Sequence, residues 1–499
     1  MSVPIFTVEQ SPTFKNCVLA YGHFNSVHPG HIRYLKKAAS EGETLIVAIL
    51  PDEDKGKERG YKFSQIERAE GLTAINIIDG IILLKDEDFS LGNLIKKLKP
   101  NFLFLGIEFE ESKDPEIIEA ISIMRKNKQS IHFHAGEIQY ASTNLLENSE
   151  SDIEEENKTK FRMACKRQNI NKRSLIEYVD SFVNTKLLVI GDTIVDQYAG
   201  CEALGMSAEA PVLVVRELQK KNFMGGASIV ASHIKALGAE CNFLSVVGND
   251  DNAKIIKEEL SNQGIICELI EDSSRPTTFK KRYVVENQKL FRVSKLNDHF
   301  LSKSIENKFL EKLEEIAPNV SGIVVSDFAY GVITPKIINK IIKLSKKYDL
   351  KIFGDTQCST QIGLITKFKE FTLLCPNERE ARIALQDKES GLESISTKLL
   401  SVTKSNMLIM KLGGQGFVAF DPSLEGFTSQ SFPALSANPV DVSGAGDSLL
   451  ALMATALSTK IKFMDAAALG CCMAVIAVEN MGNKPISSSE LKKLLHKFL

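Results

Sequence analysis

Between Cys17 and Glu137, short apolar runs (CVLAY, TLIVAIL, GIILL, NFLFLG, IHFHAG) alternate with stretches of helical period such as FSQIERAEGLTAINII and DPEIIEAISIMRKN. Parallel strands need a long crossover, and a helix is the crossover that buries its apolar stripe on the sheet. The alternation therefore predicts a small doubly wound α/β sheet. It stops at ENSESDIEEENKTK, where six acids lie between Glu147 and Glu156. A like-charge run so poor in apolar side chains reads as a solvated linker, here residues 147–169. RSLIEYVDSF and KLLVIGD then open a second α/β unit, with further strand candidates at CNFLSVVG, GIVVSDF, KIFGD, FTLLCPN and MLIMKLG. APVLVVREL and TTFKKRYVVENQKLFRVS lack intervening helices and alternate like a half-exposed antiparallel ribbon, suited to a lid or a dimer face. The expected division is a first domain over 1–146, the linker, and a second domain over 170–499.

With 499 residues, 43% hydrophobic and 25% charged, the chain has material for two or three cores. Its 61 basic and 63 acidic side chains leave a net charge of −2. No basic field invites nucleic acid or an anionic membrane, so small molecules are the expected partners. Nine cysteines, an odd number without a C-x-x-C pair, fit a reducing cytoplasm better than a disulfide framework. The opening MSVPIFTVEQSPTFKN is too polar for a signal peptide, and no apolar run reaches the roughly 18 residues of a membrane span. A cytoplasmic location is expected.

Three of the eight histidines fall within YGHFNSVHPGHIRYLKKA. His28-Pro29-Gly30-His31 follows the first strand by a few residues, at a strand's carboxyl end and a helix start, where open α/β sheets bind ligands. Gly30 removes a side chain where backbone must come close, and two imidazoles three apart can face one pocket as donors to a triphosphate. A zinc pair and a structural histidine pair are the competing readings. The stretch resembles the signature of the HxGH nucleotidyltransferases, a superfamily that includes cytidylyltransferases and sugar-phosphate adenylyltransferases, over residues 15–146. Glu67 and Arg68 of FSQIERAEGL, and Ser142 and Thr143 of ASTNLL, fall on family patterns.

That resemblance implies that His28 and His31 stabilise the α-phosphorus as pyrophosphate leaves. Tyr21, Gly22, Phe24 and Gly30 would line the nucleotide site, with Ser142 and Thr143 touching phosphates. The chain departs from the family at Asn25, where Asp is usual, and at Leu105, Gly106, Ile107 and Glu108, where heptose-type members read Lys-Gly-Gly-Asp.

DVSGAGDSLLALMATAL places Gly444, Ala445 and Gly446 before an apolar helix, an anion-binding turn, with Asp447 in the first helical turn. Standing alone, Asp447 reads equally as a general base or as a helix cap. With MGGASIVASHIKALGAE, VSDFAYGVIT, CPNEREA and KLGGQG in this order, the set resembles the ribokinase-like sugar kinases over about residues 172–499. GMSAEAPVLVV is similar to the kinase half of the bifunctional heptose-7-phosphate kinase/heptose-1-phosphate adenylyltransferases, which usually carry the kinase first.

By this resemblance Asp447 is the base and the amides of Gly444 to Gly446 stabilise the transferring phosphoryl. Gly413 and Gly416 approach ATP, and Asn377 and Glu380 organise Mg²⁺ through water. Asp192, Asp196, Gly225 and Gly226 hold sugar hydroxyls; Asp192 also reads as a turn cap. Among the ribbon cations Lys280, Lys281, Arg282 and Arg292, Lys280 and Arg292 are the candidates for a distal sugar phosphate. A sugar-facing Asn of the family is replaced by Ile229.

The implied function is bifunctional sugar activation: ATP-dependent phosphorylation of a heptose-like sugar phosphate at its anomeric hydroxyl, and nucleotidyl transfer to a sugar 1-phosphate. The product, an ADP-heptose-like nucleotide sugar, would feed surface polysaccharide. Two alternatives stand beside it. One is a kinase and cytidylyltransferase using CTP on another sugar or polyol phosphate; the other is an active kinase with a degenerate N-terminal half. The ribbon is the expected face of a homodimer.

Overall fold

The computed structural model describes all residues except 1–2, 13, 15, 26, 28, 40, 55–56, 59–62, 76, 85–90, 107–108, 110–111, 113, 128, 134–149, 287, 358–362, 424–428, 437 and 460. Two compact units are formed, residues 1–145 with 387–397, and residues 146–386 with 398–499.

The main sheet of the first unit has six strands among the described residues: β1 (Ile5–Thr7), β2 (Cys17–Gly22), β3 (Thr44–Ile49), β4 (Gly80–Leu83), β5 (Phe102–Leu105) and β6 (Ser130–His132). Their order is β1-β4-β3-β2-β5-β6, parallel throughout. Every residue of β2 is buried, as a central strand covered on both faces requires. The chain runs outward from β2 through β3 in one direction and resumes on its other side at β5. The carboxyl ends of β2 and β5 are thus a topological switch point, where this architecture leaves a crevice. Helix starts follow their local chemistry. Ser64 and Glu67 form a reciprocal capping box on the helix Gln65–Thr73, and Asp114 caps Pro115–Lys126 with proline in its first turn.

The second unit is built on nine strands in the order β11-β10-β7-β14-β15-β16-β17-β18-β19. These are β7 (Lys186–Gly191), β10 (Glu240–Val247), β11 (Ile266–Glu271), β14 (Gly322–Asp327), β15 (Lys351–Thr356), β16 (Leu373–Leu374), β17 (Met407–Lys411), β18 (Phe417–Phe420) and β19 (Ser429–Phe432). Pairing is parallel from β11 to β17, and the last two strands are antiparallel. The switch point falls between β7 and β14. Two helices that are apolar around most of their circumference, Ala445–Ser458 and Phe463–Val478, are almost wholly buried, as such helices must be.

A separate lid sheet has the order β9-β8-β12-β13, with β8 (Thr193–Met206), β9 (Leu213–Gly226), β12 (Thr278–Val285) and β13 (Gln288–Lys295). The sequence predicts an antiparallel ribbon; the sheet is mixed, because β8 pairs with β12 in parallel. The intervening helices Ala227–Ala236 and Asp251–Asn262 supply the crossover that makes this possible.

The acidic seam also differs from expectation. Residues Glu150–Arg167 form a helix, and Phe161, Ala164 and Cys165 lie in the core of the second unit. Its acids stand before its apolar face in sequence, so the charge run hides an amphipathic helix. No described helix is long and apolar enough to cross a membrane.

Candidate functional site

Parallel strands end on one side of their sheet. In the second unit those ends carry Asp192 after β7, Asp327 on β14, Asp355 on β15 and Lys411 on β17, and the three carboxylates are buried. The helix Ala445–Ser458 starts at Gly444, whose φ is +84° and which no side chain caps. A Cβ at Gly444 would lie 2.2 Å from Asn483 Oδ1, and one at Gly446 would lie 3.2 Å from Lys411 Nζ. The turn is therefore glycine by geometry, and its helix start is a ready anion site.

Asp447 stands in the first turn, 5% exposed, and accepts a hydrogen bond from Gln357 Nε2 at 3.1 Å. Burial, then the nearby Asp355, push its carboxyl up to about 7. A carboxylate so poised can take a proton at neutral pH. Asp355 Oδ2 accepts from Lys411 Nζ at 2.6 Å.

Asp192, expected to hold sugar hydroxyls or to cap a turn, is 2% exposed and is engaged by backbone. Its oxygens accept from the amides of Phe328 (2.8 Å), Tyr330 (3.3 Å) and Val332 (3.3 Å), fixing the loop after β14. Burial, with Asp327 next to it, raises its pKa against those three amides. Asp196 is likewise taken: Arg282 Nε and Nη2 donate to its two oxygens at 2.9 and 2.7 Å. Gly225 pairs with Ile194, and Gly226 (φ +62°) starts the helix Ala227–Ala236, where a Cβ would lie 2.3 Å from the Asp192 carbonyl. Ile229 is fully buried in the apolar core of the second unit.

Asn377 and Glu380 form a reciprocal capping box, each side chain accepting from the other's amide at 2.8 Å. Among the described residues no group of three His, Cys, Asp or Glu could hold a metal. This donor set fits a cation that arrives on nucleotide phosphates better than one caged by protein. Gly413 (φ +61°) leaves open space, whereas Gly416 (φ +90°) packs where a Cβ would lie 2.1 Å from the Phe432 carbonyl. On the lid, Lys280 is buried, Lys281 pairs with Glu217 at 2.5 Å, and Arg292 is exposed.

Several participants were missed. Asp441 accepts from Tyr198 Oη (2.7 Å) and Lys289 Nζ (2.6 Å) of the lid, and from the amides of Ser443 (2.9 Å) and Gly482 (3.2 Å). Burial works against its charge, but these partners, Lys289 foremost, hold the carboxyl down at about 2. Asp355 and Lys411 had a legible signal, a single charge at the carboxyl end of an apolar run; Gln357 had none.

In the first unit Tyr21 and Gly22 end β2, and Tyr34 from the helix Pro29–Ala39 ties it to β5. Tyr34 Oη accepts from the Tyr21 amide at 3.1 Å and donates to the Phe104 carbonyl at 2.6 Å. Phe24 is buried at φ +48°, an uncommon conformation for an aromatic residue, and its ring meets the His31 ring at 5.0 Å. Gly30 is in the same helix as His31. Arg68, 3% exposed, donates to the carbonyls of His23 and Leu50 and to Asp52, bracing the loops after β2 and β3. His28, Ser142, Thr143, Ile107 and Glu108 lie outside the described residues.

The fold and clefts define an α/β protein that joins a Rossmann-like domain to a ribokinase-like kinase domain with a lid. Residues 184–489 match the pfkB family carbohydrate kinase model, and residues 19–197 match the cytidylyltransferase-like model. The chain belongs to the pfkB family of carbohydrate kinases. It is similar to the bifunctional protein HldE of Campylobacter jejuni, 32% identical over 310 residues, which cover 62% of this chain and 64% of that one. For HldE of Geobacter sulfurreducens the identity is 32% over 309 residues, covering 61% of each. The chain thus spans less than two thirds of the length of these curated relatives. Escherichia coli phosphofructokinase-2 superposes with a TM-score of 0.52 at 14% identity, covering 63% of this chain and 99% of that one. Giardia lamblia ribokinase gives 0.51 at 17% identity, with the same coverage. These two likenesses concern the fold.

Proposed function

We propose that the chain activates a sugar phosphate in two transfers, a kinase step in the second unit and a nucleotidyl transfer in the first. The observation that carries this reading is Asp447, a buried carboxyl pushed up to about 7 beside the uncapped helix start at Gly444–Gly446. In the kinase step a sugar hydroxyl attacks the γ-phosphorus of ATP, Asp447 takes the hydroxyl proton, and ADP leaves. The amides of Gly444, Ala445 and Gly446 meet the charge on the transferring phosphoryl. Gly413 and Gly416 border the nucleotide, and Gly225 and Gly226 let backbone approach the sugar. Asn377 and Glu380 would hold Mg²⁺ through water, and the ion would supply charge neutralisation.

In the first unit a phosphate oxygen of the sugar 1-phosphate attacks the α-phosphorus of ATP or CTP and pyrophosphate leaves. His28 and His31 stabilise that transition state, with Tyr21, Gly22, Phe24, Ser142 and Thr143 around the nucleotide. The attacking group is already anionic, so positioning and charge stabilisation suffice. A heptose 7-phosphate is the favoured acceptor, and a separate phosphatase must then act between the steps. The nucleotide sugar fits surface polysaccharide synthesis in the cytoplasm, and the lid sheet suits a homodimer face.

The test is ADP release from ATP against a panel of sugar phosphates, and pyrophosphate release from each of four nucleoside triphosphates against a sugar 1-phosphate panel. Heptose 7-phosphate is expected to be phosphorylated and heptose 1-phosphate to release pyrophosphate. ADP release without any pyrophosphate release would remove the nucleotidyl-transfer half of the reading.

A further inference from the structure

Two lysines lie near enough to Asp447 to favour its charge, Lys280 from the lid and Lys411 from the core sheet, and of the two only Lys411 has an ion-pair partner among the described residues. Lys280, on the lid strand β12, is 4% exposed. Its ammonium lies 5.0 Å from the Phe328 ring centroid and 5.3 Å from that of Tyr330, and among the described residues it makes no ion pair and no hydrogen bond. Its neighbours on the strand are spent, Lys281 on Glu217 and Arg282 on Asp196. The aromatic floor beneath it belongs to the loop after Asp327. Asp327 is bridged to the base, because the Gln357 amide donates to the Asp327 carbonyl at 2.8 Å while the Gln357 side chain holds Asp447.

Lys411 rises from the core sheet at the end of β17. Its ammonium is within 3.2 Å of the Cβ position of Gly446, at the helix start, and bonds Asp355 at 2.6 Å. The other oxygen of Asp355 is buried and accepts no hydrogen bond among the described residues. Both ammonium groups favour the ionised form of Asp447. A buried ammonium without an anion, as at Lys280, is costly, and a substrate phosphoryl is an anion that would meet it.

We propose that Lys280 from the lid and Lys411 from the core sheet form a two-lysine clamp on the phosphoryl group in transit between ATP and the sugar. The clamp rests on the kinase reading above. The bond from the γ-phosphorus to the ADP oxygen breaks, the bond to the sugar oxygen forms, and the hydroxyl proton goes to Asp447. The lysines stay protonated and supply only charge and hydrogen bonds. Lid closure would then bring Lys280 onto the phosphoryl only when both substrates are in place.

The test uses the full chain with Lys280→Met and with Lys411→Met/Asp355→Asn, the pair removing both members of a buried ion pair so that no lone charge is left. ADP and a non-hydrolysable ATP analogue are titrated, and ATP-dependent phosphorylation of heptose 7-phosphate and of unphosphorylated heptose is measured. Each variant is expected to lower kcat by about 10- to 10³-fold while the sugar KM moves less than about threefold. Each should also lose its preference for the ATP analogue over ADP. For Lys280→Met the acidic limb of the pH-rate profile should move to higher pH, since Asp447 loses a cation that favours its charge. A thermal melt of each variant that matches the parent's reports that the second unit is folded.

Unchanged kcat and unchanged nucleotide preference would overturn the clamp. A KM increase confined to phosphorylated sugars would overturn it for Lys280, assigning that lysine to the sugar's own distal phosphate. If the parent chain phosphorylates no sugar the kinase reading fails, while the comparison of the ATP analogue with ADP still decides whether the lysines read a terminal phosphoryl.

Discussion

Asp447 separates two roles that one residue can play at a helix start. As a base it must be ionised, so kinase turnover should rise with pH through about 7, where burial and Asp355 place its carboxyl. Asp447→Asn keeps shape and capping capacity but not basicity, and should lower kcat by roughly 10²- to 10⁴-fold with sugar affinity little changed. Steady-state kinetics with heptose 7-phosphate across pH 5 to 9 measure both effects. A helix cap alone would leave turnover nearly intact, because Asn caps about as well as Asp. At the other site, His31→Ala should lower nucleotidyl transfer by about 10²-fold, the scale of losing one preorganised donor, with kinase turnover unchanged. Zinc bound stoichiometrically by the parent and lost in this variant would instead support a metal role.

Strands and turns act here through shared carboxylates. Asp441 joins two lid residues, Tyr198 and Lys289, to the turn that leads into Gly444. Its folded carboxyl is held at about 2, below the ordinary 3.8. The resulting stability is present above pH 4 and is lost as pH falls through 2, an effect of about 2 kcal/mol. Asp441→Asn should therefore melt lower than the parent at pH 7, and the gap should narrow between pH 4 and pH 2 in thermal scans. Gaps of equal size at both ends of that range would show that the carboxylate's charge is not what the lid residues hold. The glycine turn is equally local in cause: the φ of +84° at Gly444 and the 2.2 Å approach to Asn483 leave no room for a side chain.

At the scale of the molecule, the helix Glu150–Arg167 decides where the kinase unit begins. Phe161 is fully buried there, Asn157 donates to the Ala434 carbonyl at 2.9 Å, and Arg162 donates to the Phe498 carbonyl at 3.0 Å. We expect a fragment starting at Leu146 to fold and keep ATP-dependent activity, and one starting at Asn169 to be less stable. Phe161→Ala in the full chain should cost about 3–5 kcal/mol, the range for emptying a buried aromatic site. Denaturant melts of the two fragments and the variant check this. Equal midpoints for both fragments would place the boundary back at residue 170, where the acidic run suggested it.

The α/β class, the two units, three of the four lid strands and the glycine turn before Asp447 could be read from the residues alone; the strand Thr193–Met206 could not. Each is written in local signals: apolar period, crossover length, and residue types that tolerate unusual backbone. The strand ends that carry the clefts were legible for the same reason, since a run such as CVLAY or KLLVIG fixes where its own carboxyl end falls. Which charges are spent became visible only in the folded chain. Asp192 and Asp196 look like free sugar ligands in sequence, yet three amides and Arg282 occupy them. Lys280 and Lys281 are adjacent and alike, yet among the described residues only Lys281 has an ion-pair partner. Ile229 sits in a motif yet faces the core, and an acidic run proved to be one side of a packed helix. A charge finds its partner across contacts dozens to hundreds of residues apart, and no local pattern encodes that pairing.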